Sequence, residues 1–156
     1  MEKKQFTIKG RAMALDLGEK RIGVAISDPT RTIAQSYSVV KRTSRKADYA
    51  EYDRIVQKEQ IKLLVVGLPL TLAGEESQKS AWVRHYTAEM GEHIDIPIEF
   101  WDEALTTVKA ADSLRARGKR GKKARERIDA VAAAFILQSY LDAGCRGERV
   151  QRGRGE

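Results

Sequence analysis

Two short apolar segments, separated by a four-residue turn, follow a polar stretch at the start of the sequence. Residues 12–17 read Ala-Met-Ala-Leu-Asp-Leu, residues 18–21 begin with a glycine, and residues 22–26 read Ile-Gly-Val-Ala-Ile. Apolar runs of this length predict β-strands, and so short a turn predicts that the two strands pair as an antiparallel hairpin. Any larger sheet built on this hairpin therefore contains at least one antiparallel pair.

Strand and helix patterns alternate after the hairpin. The run at residues 63–66 is continuously apolar, which is typical of a strand covered on both faces. The order of elements predicts an α/β fold with a mixed five-stranded sheet and helices on both faces. The predicted strands after the hairpin cover residues 36–40, 63–66 and 96–101, and the predicted helices cover residues 46–60, 76–91, 106–117 and 124–143.

Length and composition predict a single globular domain. The chain has 156 residues, of which 42% are hydrophobic and 33% are charged, and this is sufficient for one substantial core. We expect the domain to span residues 11–144, after an N-terminal arm at 1–10 and before a disordered basic tail at 145–156. No apolar run is long enough to cross a membrane, and the start is too polar for a secretory signal.

The cysteine and histidine content favours the cytoplasm and argues against a zinc site. Cys145 is the only cysteine, so it cannot form an internal disulfide. His85 and His93 are eight residues apart, which is not a zinc-binding spacing. We therefore expect a cytoplasmic protein with no membrane partner, in which any metal ion is held by oxygen ligands.

Basic residues are concentrated in the last third of the chain. The net charge is +7, and nine lysines and arginines lie between residues 109 and 127 against two acids. One interpretation is a solvated helix face and loop. We favour contact with nucleic acid, because the run flanks a candidate catalytic carboxylate. The residues expected to make these contacts are Lys119, Arg120, Lys122, Lys123, Arg125 and Arg127.

Three acidic positions are candidates for chemistry. Asp16 ends the first strand, although an aspartate there could simply cap the turn. Asp102 and Glu103 follow a later strand, where acids before a helix are ordinary. Asp129 shares one helix face with apolar residues at 132, 133 and 136. A helix dipole favours an acid near a helix start by only about 0.3–1 kcal/mol, which does not explain an acid in line with the core.

The combination of these acids is more informative than any one of them. The predicted topology can bring two strand ends and one helix start together, and converging carboxylates repel one another unless a cation neutralises them. Oxygen ligands favour Mg²⁺ or Mn²⁺. Residues 67–74 read Gly-Leu-Pro-Leu-Thr-Leu-Ala-Gly. This segment is either a backbone lining for the site or an ordinary strand-to-helix connection.

Four motifs, in this order and spacing, resemble the YqgF/RuvX family. The resemblance covers roughly residues 11 to 144, and four motifs together are far more specific than any one of them. The motifs are Ala-Leu-Asp-Leu-Gly at 14–18 with Arg-Ile-Gly-Val-Ala at 21–25, Val-Val-Gly-Leu-Pro-Leu at 65–70 with Gly74, Asp-Glu at 102–103 with Leu-Thr-Thr at 105–107, and Ile-Asp-Ala-Val-Ala-Ala at 128–133 with Ile-Leu-Gln at 136–138 and Tyr-Leu at 140–141.

The resemblance implies a ribonuclease H-like fold in which Asp16, Glu103 and Asp129 form the acidic triad that is both catalytic and metal-binding. Asp102 is a less certain participant. The chain departs from the family pattern at Ala104, where the family usually has an arginine after Asp-Glu. It also departs before the last acid, where Arg125 and Arg127 replace the usual lysines; arginine binds phosphate as a bidentate fork rather than as a point charge.

The family includes proteins named as pre-16S ribosomal RNA nucleases and as Holliday-junction resolvases. The resemblance therefore implies a metal-dependent nuclease, and we favour processing of the 5′ end of precursor 16S rRNA over cleavage of branched DNA. A resolvase acting on a symmetric junction would require a homodimer. A non-catalytic RNA-binding assembly factor is a further alternative. An actin-like or sugar-kinase ATPase also opens with Asp-Leu-Gly, but such enzymes need two domains of this size.

Overall fold

The computed structural model describes residues 9–103 and 122–150, with only the backbone described for residues 122–128. The helix predicted at residues 106–117 lies outside the described residues. None of the described helices is long and apolar enough to cross a bilayer. The elements in chain order are β1 (Arg11–Leu17), β2 (Arg21–Ser27), β3 (Ala34–Lys41), α1 (Arg45–Glu59), β4 (Ile61–Leu68), α2 (Gln78–Met90), β5 (Ile98–Asp102), α3 (Lys122–Asp142) and β6 (Glu148–Arg149).

The strands form one mixed sheet in the order β3-β2-β1-β4-β5-β6. The predicted hairpin is confirmed, since β1 pairs antiparallel with β2, and β2 pairs antiparallel with β3. β1, β4 and β5 are parallel neighbours, so their carboxyl ends lie at the same edge of the sheet. The predicted α/β class and mixed sheet are confirmed, but the predicted count of five strands is wrong because β6 adds a sixth in the described part of the chain.

The sixth strand comes from residues whose composition predicts a disordered tail. The Gly147 backbone N–H donates to the Glu99 carboxylate at 3.0 Å, and the Arg149 guanidinium lies 3.4 Å from the same carboxylate. Val150 packs into the core. These contacts hold residues 147–150 on β5, and they depend on a buried acid that the local composition of the tail does not reveal. Residues 151–156 lie outside the described residues.

Side chains alternate along the strands and divide the sheet into two faces. On β1, Met13 and Leu15 pack with α1 and α2, whereas Ala12 and Ala14 pack against α3. The small alanines let α3 lie close to the sheet. The apolar residues on the sheet-facing sides of the first two helices are buried, apart from the half-buried Trp82. These residues are Tyr52, Ile55 and Val56 on α1, and Val83, Tyr86 and Met90 on α2.

Serine caps fix the starts of α1 and α2. The Ser44 hydroxyl accepts a hydrogen bond from the Ala47 N–H at 3.1 Å. At the start of α2, the Ser77 hydroxyl accepts from the Ser80 N–H at 3.2 Å, and the Ser80 hydroxyl accepts from the Ser77 N–H at 2.7 Å. Such reciprocal bonds satisfy N–H groups that a helix start otherwise leaves unpaired. The cap therefore sets where the first turn of α2, including Lys79, lies over the sheet edge.

Gly23 of β2 is the point at which α3 approaches the sheet most closely among the glycines whose surroundings are described. A Cβ atom at Gly23 would lie 2.1 Å from the backbone oxygen and 2.7 Å from the backbone carbon of Asp129. Both atoms belong to the helix backbone, so neither can turn aside as a flexible side chain could. A side chain at this position is therefore incompatible with the observed seating of α3.

We predict that Gly23→Ala lowers the free energy of unfolding by about 3 kcal/mol or more, because overpacking against backbone typically costs 1–3 kcal/mol or more. Chemical denaturation followed by far-UV circular dichroism measures this change. Gly74→Ala is the matched control: Gly74 has open space around it but a φ of +81°, so it reports backbone strain alone. A loss no larger at Gly23 than at Gly74 would contradict the close approach.

Candidate active site

The carboxyl ends of β1 and β4, together with the residue after β5, create an acidic site on the face covered by α3. Asp16 follows Ala12 and Ala14 on that face, directly after Leu15, which pairs with Val66 of β4. Glu103 directly follows β5, and its N–H donates to the Leu68 carbonyl at 3.1 Å. The pleat and the register thus bring two of the three predicted acids to one point.

Asp16 and Glu103 lie close enough for each side chain to shift the pKa of the other. Burial raises the pKa of Glu103 well above its ordinary value, and the charge of Asp16 and a hydrogen bond to Asp16 raise it further. Burial also raises the pKa of Asp16; the hydrogen bond to Glu103 opposes this rise and the charge of Asp129 adds to it. A carboxyl–carboxyl hydrogen bond needs a proton on one partner. A cation between the two carboxyl groups would remove that requirement.

One oxygen of Glu103 has an unusual environment. The Glu103 residue is only 7% exposed, and its Oε2 atom has no hydrogen-bond partner among the residues that the structure describes. The atom faces Gly67, where a Cβ would lie 2.3 Å from Oε2. The segment 67–74, which begins at this glycine, therefore lines the site with backbone at one residue at least. A backbone lining is one of the two alternatives that the sequence predicts for this segment. A buried carboxylate oxygen without a partner is costly, and a cation would satisfy it.

Asp129 lies at the same end of the site and is paired with Arg21. The Nε atom of Arg21 donates to Oδ2 of Asp129 at 2.8 Å. The two side chains are 24% and 28% exposed, so this ion pair is partly buried. An acid on the core-facing side of α3 requires a compensating positive charge. Arg21, the first residue of β2, supplies it. Arg21 belongs to the second half of the first motif, but nothing in its sequence context identifies its partner.

Lys79 is the functional candidate that the sequence did not reveal. Its positive charge lowers the pKa of both Asp16 and Glu103, so it lies within electrostatic reach of both carboxyl groups. Lys79 is exposed on the first turn of α2, which packs on the opposite face of the sheet from α3. Only the three-dimensional packing brings it to the sheet edge, and no local motif surrounds it.

No group of three or more Asp, Glu, His or Cys side chains within the described residues is arranged to hold one metal ion. Asp16 and Glu103 are in contact, while Asp129 is paired with Arg21. The assignment of all three acids as shared metal ligands therefore stays a prediction. Asp102 is exposed at the end of β5, and its charge adds to the raised pKa of Glu103.

The remaining predicted site residues lie beyond these contacts. Ala104, Lys119 and Arg120 lie outside the described residues. Lys122, Lys123, Arg125 and Arg127 lie on the first turns of α3, where only the backbone is described. The start of α3 carries the basic residues toward Asp129, but their side-chain contacts stay predictions.

The fold is that of ribonuclease H-like nucleases. RuvC of T. thermophilus bound to a Holliday junction superposes with a TM-score of 0.55 at 13% identity, over 90% of this chain and 99% of RuvC. The fowlpox virus resolvase in complex with Holliday junction DNA gives a TM-score of 0.51 at 12% identity, over 87% and 99% of the two chains. At such low identities, these similarities establish the architecture alone.

The sequence comparison identifies the family. Residues 10–143 match the family model described as "RuvX: Holliday junction resolvase". A relative from Syntrophomonas wolfei named "Putative pre-16S rRNA nuclease" is 39% identical over 88% of this chain and 98% of its own length. A relative of the same name from Roseiflexus sp. strain RS-1 is 42% identical over 86% and 95%. The chain belongs to the RuvX family, which confirms the resemblance of its motifs.

We predict that Glu103→Gln raises the melting temperature of the protein in EDTA at neutral pH. In EDTA the two carboxyl groups can relieve their repulsion only by taking up a proton, whereas the amide introduced by Glu103→Gln carries no charge and can donate to Asp16 without one. Each kcal/mol gained corresponds to roughly 2–4 °C in a chain of this size. Differential scanning calorimetry measures the shift.

Glu99→Gln is the matched control for this measurement. Glu99 is buried to a similar degree, at 8% exposure, but it accepts hydrogen bonds from the Tyr140 hydroxyl at 2.6 Å and the Gly147 N–H at 3.0 Å. Its substitution should lower the melting temperature, because it weakens bonds already made to a charged group. A fall in both variants would show that Glu103 is a satisfied structural acid.

Proposed function

We propose that this protein is a nuclease that hydrolyses phosphodiester bonds with a divalent ion held by Asp16, Glu103 and Asp129. The observation that carries this proposal is the pairing of Asp16 with the buried Glu103, whose Oε2 has no hydrogen-bond partner among the described residues. A purely structural acid in the interior is normally fully hydrogen-bonded, as Glu99 is. The family and the fold support the same conclusion.

The residues present fit a hard divalent cation. The donors are carboxylate oxygens, which suit Mg²⁺ or Mn²⁺, and a cation would meet the need of Glu103 Oε2 and remove the need for a shared proton. A bound divalent ion supplies an activated water and stabilises the charge that develops on the leaving oxygen. Asp129 would join the set by exchanging its pairing with Arg21.

Arg21 and Lys79 then act on the substrate side of the site. If Asp129 held the ion, the Arg21 guanidinium would be free to donate to a phosphate oxygen at the same location. Lys79 adds a positive charge on the other side of the acidic pair, where it lowers the pKa of both acids and attracts a polyanion. These two cations would balance the charge of the acids as a phosphate approaches.

For the substrate, we propose the 5′ end of precursor 16S rRNA, because close relatives across most of the chain carry the name of a pre-16S rRNA nuclease. The setting would be the cytoplasm. A four-way DNA junction is the second candidate, favoured by the description of the family model. That substrate would require a homodimer, since two strands of a symmetric junction are cut.

We predict that cleavage requires a divalent ion and that Asp16→Asn and Glu103→Gln each reduce it by more than the roughly 10–100-fold typical of outer-shell partners. The measurement is single-turnover cleavage of a precursor 16S fragment and of a four-way DNA junction, each with Mg²⁺, Mn²⁺ or EDTA. Asp53→Asn on α1, far from the sheet edge, is the matched control.

Two results would contradict this site. Undiminished cleavage in EDTA would exclude the metal, and full cleavage by Asp16→Asn would exclude the acid. Specific binding of the RNA without cleavage under any ion would instead favour the non-catalytic assembly factor. Preference between the RNA and the junction decides the substrate.

We further propose that Lys119, Arg120, Lys122, Lys123, Arg125 and Arg127 hold the phosphate backbone. Charge removal at the four residues of α3 should weaken binding on every sequence tested. For a duplex, each lost contact should flatten the slope of log affinity against log salt concentration by about 0.9. An unchanged slope in the quadruple variant, measured by fluorescence anisotropy, would show this segment to be a solvated face.

A further inference from the structure

A cavity of about 370 Å³ lies beside the acidic site, on the face of the sheet that carries α2. Its lining begins at Leu17 and Gly18, immediately after Asp16, and continues to Lys79 and Trp82 on α2 and to Arg42. The cavity is open to solvent and shares Lys79 with the electrostatic environment of both acids. A nucleic-acid strand that enters the acidic site from the face carrying α2 would pass through this cavity.

Arg42 is held in one orientation within this cavity. Its guanidinium carbon lies 4.6 Å from the centroid of the Trp82 ring, as in a cation–π contact. Its Nη1 atom donates to the backbone oxygen of Gly18 at 3.1 Å and to that of Glu19 at 2.8 Å. Both bonds use the same nitrogen, so Nε and Nη2 have no protein acceptor among the described residues.

This arrangement leaves a planar pair of donors pre-oriented at low entropic cost. Adjacent guanidinium N–H groups match two oxygens of a phosphate, which is the reason that arginine is favoured for phosphate recognition. Lys79 adds a second positive charge, and Glu19, whose side chain is exposed, is the only acid that lines the described cavity. The aromatic ring behind the guanidinium supplies an apolar wall for a sugar or base.

We propose that this cavity is a nucleotide subsite, in which Arg42 and Lys79 bind the phosphate of a nucleotide adjacent to the one being cut. The proposal rests on the nuclease function and names a second contact surface for the same substrate. It differs from the basic start of α3, because α2 and α3 lie on opposite faces of the sheet. The substrate strand would therefore be held on both sides of the acidic pair.

The test is the binding of a fluorescein-labelled single-stranded RNA 20-mer in EDTA, which prevents metal-dependent cleavage. Arg42→Gln and Lys79→Gln should each weaken binding and flatten the log–log salt slope by about 0.7, the value per phosphate contact on a single strand. Arg54→Gln and Lys58→Gln remove the same charges from exposed positions on α1 and should leave the slope unchanged. Far-UV circular dichroism confirms that each variant is folded.

A second readout locates the RNA in the cavity. In a Trp101→Phe background, Trp82 is the only tryptophan of the chain, so its fluorescence reports on this cavity alone. We expect bound RNA to quench Trp82 emission and to protect it from iodide. Arg42→Gln should remove most of this response even at RNA concentrations that saturate the protein.

Different failures have different meanings. Parent-like slopes in Arg42→Gln and Lys79→Gln, or Trp82 emission that does not respond to bound RNA, would overturn the subsite while metal-dependent cleavage by the parent still supports the nuclease. If the parent binds neither this RNA nor a DNA junction, both the subsite and the nuclease are overturned. Slopes that flatten only in the two cavity variants, together with Trp82 quenching, support the subsite.

Discussion

The contact between the start of α3 and β2 controls the arrangement of the whole site. Gly23 faces Asp16 across the hairpin, and its missing side chain lets the backbone of Asp129 lie directly against β2. Neighbouring residues use the same contact: Arg21 at the start of β2 reaches Asp129. A bulkier residue at position 23 would lift the helix from the sheet. It would also remove Asp129 from the edge where Asp16 and Glu103 meet.

Charge balance at this edge comes from several parts of the chain. Asp129 is neutralised by Arg21, which is separated from it by more than a hundred residues of sequence. Asp16 and Glu103 are balanced only in part, by the charge of Lys79. Two neighbouring carboxyl groups disfavour each other's charged form, so the pair favours the binding of a proton or a cation. The proposed divalent ion and the proposed phosphate contacts would use these two sets of charges.

Much of the fold follows from local patterns of apolar residues in the sequence. The hairpin, the continuous apolar run of β4 and the helix over residues 46–60 depend on local periodicity, and each prediction is confirmed. The features that were not predicted depend on distant partners. β6 pairs with β5 beside Glu99, whose carboxylate accepts from the Gly147 N–H, and the composition of the tail does not reveal this partner. Similarly, Lys79 reaches the acidic pair only through the packing of α2, which no local signal reports.

Two buried glutamates, one on β5 and one directly after it, differ in whether the protein supplies partners for their carboxylate oxygens. Glu99 and Glu103 are buried to nearly the same extent. Glu99 accepts two hydrogen bonds and forms an ion pair, whereas Oε2 of Glu103 accepts no hydrogen bond from the described part of the chain. The hydroxyl of Thr87 is also buried without a partner in the described residues, but a neutral hydroxyl costs far less to leave unpaired than a carboxylate. Glycine at position 67 keeps the space beside Oε2 open. A chain selected only for stability would fill that space or bond that oxygen, so the unmet need of Glu103 is best explained by a ligand that arrives from outside the fold.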